Sequence, residues 1–341
     1  MAVNKYGRQS FVFPSKPVIR AWASVAGKKE SNGPLASHFD MTITDSYFGQ
    51  SSWEQAEKRM QEMALEAVLK KVSLSKEKID IVFSGDLLNQ CIGSSFTLRN
   101  MQVPHLGLYG ACSTMAESLL LSAMSIEGQF TDHVIAMTSS HFASSERQYR
   151  FPLGYGGQRT PTAQWTVTGS GAAIVSSSGD GHTIESCTVG AITDLGIKDA
   201  ANMGAAMAPA ALSTIKAHFE DFKTSAEDYD MIVTGDLGQL GKELLLELAR
   251  KEGIPLDGKL EDCGTLIFDM QKQDVHSGGS GCGCSAVTLC GYLLNNLKPQ
   301  KKLLFCGTGA LLSPTSTQQG LPIPGVCHAV CITGGNIPWI T

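Results

Sequence analysis

Two stretches of this chain, ACSTMAESLLLSAMSIEG (111–128) and GCSAVTLCGYLLNNL (283–297), each open on a small residue and a cysteine and then run apolar. At helical spacing neither leaves a polar face, and a helix without one is buried on all sides. Each leads into a short apolar strand, HVIAMTSS (133–140) after the first and KLLFCGTG (302–309) after the second. A second pair repeats at the same long period. IDIVFSGDLL (79–88) returns as YDMIVTGDLG (229–238), both continuous apolar strands ending in Gly-Asp, the form of a strand covered on both faces.

The helices before that second pair differ from the first two. WEQAEKRMQEMALEAVLKKV (53–72) carries Ala56, Met60, Met63, Ala64, Ala67 and Val68 on one stripe, and PAALSTIKAHFEDF (209–222) carries Leu212, Ile215, Phe219 and Phe222. Each has one face for a sheet and one for water. A chain that repeats itself in this way packs most simply with the two apolar helices as a shared middle layer. A sheet lies on either side and amphipathic helices lie outside, giving α-β-α-β-α. The expected fold is therefore an α/β five-layered sandwich of two duplicated halves, 1–178 and 179–341. Their seam is SSSGDG (176–181), and the first half carries a long irregular segment, 141–164.

The chain has 341 residues, 43% hydrophobic and 17% charged, with a net charge of −5. That is enough chain for a substantial core, and the charge gives no reason to expect nucleic acid as a partner. The opening MAVNKYGRQSFVF lacks the apolar core of a signal peptide, and no run approaches a membrane span. The ten cysteines, in a chain of this length without a secretion signal, read as reduced thiols. Cys282-Gly-Cys284 and Cys327-His328 with Cys331 lack the paired spacing of a structural zinc site, so neither metal nor cofactor is expected.

The duplicated halves, the Gly-Ala-Cys turn and TVTGSGAAIV (166–175) resemble the thiolase and ketoacyl-synthase fold. GACSTMAESL (110–119), FPLGYGGQRTPTAQWTVTGSGAA (151–173), VHSGGSGCGCS (275–285) and CGTGALLSPTSTQQG (306–320) resemble, in that order, the stage V sporulation protein AD family of spore-forming bacteria. The resemblance implies a protein that binds dipicolinic acid, pyridine-2,6-dicarboxylate, accumulated in spores as its calcium salt. It implies work with the other stage V sporulation A proteins, which move that compound across the spore inner membrane. The chain would be a peripheral protein on the cytoplasmic face of that membrane, and the fold implies a homodimer.

Within that resemblance Cys112 matches the nucleophile position. A thiol at a helix N-terminus meets the positive end of the macrodipole, which lowers its pKa and equally attracts a ligand carboxylate. His276 resembles the thiolase histidine and Cys306 the second thiolase cysteine, the set that Claisen chemistry uses. Val275 and Ser277 replace the glycine and proline that flank the family histidine, which changes where the imidazole points. Arg147, Arg150 and Arg159 are candidates to grip carboxylates, and Tyr149, Phe151 and Tyr155 to face a flat ring. Asp86 and Asp236 stand at equivalent strand ends, where helix capping is the simpler reading. The remaining cysteines read as packing residues. Two other functions fit these residues: an active acyltransferase or condensing enzyme using Cys112, and a structural adaptor with a vestigial pocket.

Overall fold

A computed structural model of the chain describes residues 4–149 and 158–339. The first half runs β1 (Val18–Ala26), α1 (Trp53–Lys71), β2 (Ile81–Asp86), α2 (Ile92–Leu98), β3 (His105–Gly107), α3 (Thr114–Glu127), β4 (His133–Ser140), α4 (Phe142–Tyr149), β5 (Trp165–Thr166) and β6 (Gly169–Ser176). The second runs β7 (His182–Thr188), α5 (Met203–Phe222), β8 (Met231–Thr234), α6 (Gly238–Lys251), β9 (Leu260–Asp262), β10 (Gly279–Ser280), α7 (Cys282–Thr288), β11 (Lys302–Ala310) and β12 (Gly325–Thr333).

The strand order across the sheet is β9-β8-β11-β12-β7-β1-β6-β4-β2-β3. Read outward from the middle, β1-β6-β4-β2-β3 and β7-β12-β11-β8-β9 are the same arrangement twice. In both, the second strand is antiparallel to its neighbours and the outer strands are parallel. The expected pair of sheets is thus joined into one, through the short register His182↔Ile19 and Thr183↔Val18 between β7 and β1.

Helix α3 packs on β2 and β4 on one side and on β11 and β12 on the other, and α7 packs beside it on β4 and β6. This is the middle layer. Met115, Leu119 and Ala116 of α3 and Ala286 and Val287 of α7 are fully buried with Phe305 and Val330. Complete burial of a leucine such as Leu119 contributes about 2 kcal/mol. Outside, α1 covers β1, β4 and β6 with Ala56, Met60, Ala64 and Val68, while α5 covers β11 and β12 with Ala211, Ile215 and Phe219. The layers are therefore α-β-α-β-α.

Close approach sets where glycine must stand. A Cβ on Gly171 of β6 would lie 2.5 Å from the carbonyl oxygen of Ala286, so α7 touches the sheet at backbone distance. Two local features depart from the sequence reading. The stretch 283–297 is not one regular helix: α7 ends at Thr288 and passes into a π-helical turn, Leu289–Leu293. The segment 141–164, expected to be irregular, begins with α4, whose Ser144, Ser145 and Glu146 are buried.

Candidate functional site

Strand ends and helix starts from both halves meet above the middle layer in a narrow cleft. Cys112 lies at its floor, in a 3₁₀ turn, Ala111–Ser113, that precedes α3. Ala111 holds φ +50°, the left-handed region that a residue with a Cβ avoids. Such strain persists where the surroundings fix it, and it concentrates at functional sites.

The sequence led us to expect a thiol activated by the α3 N-terminus. The structure gives the opposite result. Cys112 is only 5% exposed, and burial, the negative Asp236 and the nearby Cys282 push its pKa up. Ionising the thiol would place its negative charge near that of the Asp236 carboxylate in a buried setting. The N–H of Gly281 acts in the other direction but does not prevail.

Asp236 is held from several sides. Its Oδ1 accepts from Thr308 Oγ1 at 2.9 Å, and its Oδ2 accepts from the Gly281 N–H at 2.9 Å and from Ser280 Oγ at 3.3 Å. Its own N–H donates to Thr308 Oγ1 at 3.0 Å, and its carbonyl accepts from Gln164 Nε2 at 2.7 Å. Burial lifts its pKa to about 6, against these hydrogen bonds. Asp86, its counterpart on β2, does what capping predicts. It accepts from Leu88 N at 3.0 Å and from Ser94 N and Oγ at 2.7 and 2.8 Å, closing the start of α2. Asp236 caps no following helix; it crosses to the start of α7 and to Cys112. The duplicated position has acquired a different partner.

The walls combine apolar and hydroxyl groups. Leu87, Met203, Ala310 and Leu312 supply the first, and Tyr109, Tyr149, Ser145, Thr166 and Ser280 the second. Tyr109 Oη lies 2.6 Å from Tyr149 Oη, which donates to the Leu87 carbonyl at 2.6 Å. Thr166 Oγ1 donates to Glu146 Oε1 at 3.0 Å. Thr166 and Ser280 are themselves paired across the two-stranded β5–β10 ladder. Ser145 Oγ is buried with no hydrogen-bond partner among the described residues, and a buried hydroxyl left unpaired is costly unless something arrives to meet it.

Of the residues singled out from sequence, Cys112 and Tyr149 line this cleft. His276 stands in a turn with φ +50°, and its Nε2 is 3.3 Å from Asp274 Oδ1. Cys306 is packed under the second half-sheet among Leu304, Cys327 and Cys331. Arg147 is paired with Glu54 and lies over the Trp53 ring. Arg159 is paired with Asp274 at 2.8 Å and lies over Trp165. Arg150, Phe151 and Tyr155 fall outside the described residues. Among the described lining residues there is no Arg, Lys or His. The sequence reading missed Tyr109, Ser145, Glu146, Thr166 and Ser280. Their signal was faint: Tyr109 stands in the same turn as Cys112, and Ser280 opens the matching turn of the second half.

Burial and the nearby Asp236 charge hold the Cys112 thiol in its protonated form, and no Arg, Lys or His among the described lining residues is there to stabilise a thiolate.

Residues 7–333 match the family described as stage V sporulation protein AD (SpoVAD). The chain is 43% identical over 326 residues to the stage V sporulation protein AD of Bacillus subtilis (strain 168), covering 95% of this chain and 96% of that one. Among solved structures it is similar to 3-oxoacyl-[acyl-carrier-protein] synthase III of Aquifex aeolicus (TM-score 0.59, 14% identity, 93% of this chain and 99% of that one). It is also similar to the synthase III of Xanthomonas oryzae (TM-score 0.60, 14% identity, 95% and 100%). At that identity these two likenesses show the thiolase-type fold alone. No helix among the described residues is long and apolar enough to cross a membrane. The match along nearly the whole chain shows that this protein belongs to the stage V sporulation protein AD family, with a role in sporulation.

Proposed function

We propose that the chain binds dipicolinic acid in the cleft above Cys112, without covalent chemistry. In this reading it serves the movement of that compound across the spore inner membrane with other stage V sporulation A proteins. The observation that carries the reading is the buried Cys112 thiol, kept protonated by burial and the nearby Asp236 charge, in the lining of a hydroxyl-bearing slot. The protonated thiol there is a packing surface and not a nucleophile. Tyr109 and Tyr149 offer faces and hydroxyls to a pyridine ring, and Ser145 offers an unspent hydroxyl.

The charge of the wall favours one form of the ligand. Glu146 lines the cleft, Asp236 lies just behind it, and the described wall holds no cation. A free dicarboxylate would meet repulsion there, whereas its calcium complex is neutral and presents the metal to carboxylate and hydroxyl oxygens. The calcium salt is therefore the expected occupant. The chain would act as a peripheral homodimer on the cytoplasmic face, its halves divided at 178/179. The edge strand β3, with Leu106 54% and Tyr109 45% exposed beside Phe96 and Ile92, supports self-association.

Calorimetry with calcium dipicolinate, free dipicolinate and calcium alone tests the reading. Heat is expected with the complex, weaker heat with the free acid and none with calcium. No heat with any dipicolinate form at millimolar concentration overturns it.

A further inference from the structure

Beside the cleft, along β5, two basic side chains gather around Trp165. Lys29 Nζ lies 3.6 Å from the centre of its ring and Arg159 Cζ 4.8 Å. The Phe142 ring is stacked on Trp165 at 3.8 Å and 8°, so it takes one face and Lys29 takes the other. Arg159 is close enough to Lys29 to depress the lysine's pKa, second only to burial. Gln273 Nε2 donates to the Lys29 carbonyl at 2.9 Å and ties the loop bearing Asp274 and His276 against the same corner.

Asp274 and Glu30 both act on Lys29 through space, but neither pairs with it closely. Lys29 makes no ion pair among the described residues. Glu30, its neighbour, is turned inward and accepts from Thr168 N at 3.0 Å. Asp274 is the one acid on the outer side. It accepts from Arg159 Nη2 at 2.8 Å, lies 3.3 Å from His276 Nε2, and is itself 75% exposed. Arg159 Nη1 is shielded from water and has no hydrogen-bond partner among the described residues. A guanidinium with a buried N–H unspent beside an unpaired ammonium is unfavourable on its own. An oxygen anion placed between them offsets both, with the fork of Arg159 and the point charge of Lys29 as donors.

We infer that Lys29 and Arg159 over Trp165, with His276 on the far side of Asp274, form a second binding site, distinct from the Cys112 cleft. It takes a small oxyanion group, a phosphate or a carboxylate, in the position that the Asp274 side chain now occupies. Asp274 acts as an internal stand-in: its exposed carboxylate swings out when the external anion binds. The inference does not depend on what the cleft holds.

The test is titration of the whole chain with inorganic phosphate, and separately with benzoate, in chloride buffer, following Trp165 fluorescence. Trp165→Phe identifies the signal. Saturable change with phosphate alone assigns a phosphoryl site, and with benzoate alone a carboxylate site. Lys29→Gln and Arg159→Gln are each expected to weaken binding about tenfold, as loss of a charge-assisted hydrogen bond does. Asp274→Asn is expected to tighten it several-fold by removing the competitor. Lys29 is half-buried at the surface and its variant folds, so it serves if Arg159→Gln does not. Absence of saturable binding by both anions in wild type and in Asp274→Asn overturns the site. Binding unchanged in Lys29→Gln overturns it equally.

Discussion

The Cys112 thiol lies near the carboxylate of Asp236, a residue from the opposite half of the duplicated chain, close enough for the acid's charge to raise the thiol's pKa. The pair is buried, and the carboxylate opposes ionisation of the sulfur. Cys112 therefore reacts slowly with iodoacetamide at neutral pH, although it lies at the floor of an open cleft. Asp236→Asn removes the negative charge and speeds alkylation of the Cys112 peptide about tenfold or more, one pKa unit being a factor of ten in thiolate. Peptide mass mapping after timed alkylation checks this. Equal rates in the two proteins would mean that the carboxylate does not control the thiol.

Beneath α2 a second acidic pair is more deeply enclosed. Glu57 accepts from Ser139 Oγ at 2.8 Å and Ser144 Oγ at 2.9 Å, and Gln61 Nε2 bridges from Ser139 towards Ser94, which binds Asp86. Burial first, then the charge of Asp86, pushes the Glu57 pKa up from its ordinary 4.5, and burial raises Asp86 as well. The folded state thus holds a proton that the unfolded chain releases, so stability falls as pH rises from 4.5 through the folded pKa. Glu57→Gln, uncharged at every pH, flattens that fall and melts higher than wild type in alkaline buffer. Melting curves across pH provide the check, and parallel curves for the two proteins would count against a buried shared proton.

Gly171→Ala tests the contact between α7 and the sheet. Its new methyl would lie 2.5 Å from the Ala286 carbonyl oxygen, and neither backbone has a flexible end to move. Destabilisation of about 2 kcal/mol or more is expected, read from denaturant unfolding. A change near zero would show that the two elements are looser than described.

Two variants separate cleft residues from bystanders. Ser145→Val replaces the hydroxyl that has no partner among the described residues with methyl groups and should weaken calcium dipicolinate binding about tenfold. Arg147→Gln should leave it within about twofold, because that guanidinium is spent on Glu54 and Trp53 at the surface. The reverse ranking by calorimetry would return the binding role to the arginine.

The fold was legible because its signals are local and repeated. The apolar stripe of α3, the matching Gly-Asp strand ends and the amphipathic α1 and α5 each state how they must be buried. The site was less legible because its residues come from both halves and meet only after folding. Nothing near Asp236 in sequence separates it from Asp86, yet one reaches Cys112 and the other closes α2. His276 and Cys306 carried the stronger motif signal, but loop geometry turns the first to Asp274 and strand pairing seals the second in the core. The thiol that the α3 N-terminus led one to expect activated is instead raised in pKa by burial and a nearby carboxylate, neither of which a sequence displays.

The short β7–β1 joint gives the assembled walls of the cleft a mechanical role. Tyr109, Cys112 and Tyr149 belong to one repeat and Met203, Ser280 and Leu312 to the other, so any guest lodged there is gripped by both. An occupant then works as a removable rivet, and a filled molecule should resist heat as one body where an empty one first yields at that corner.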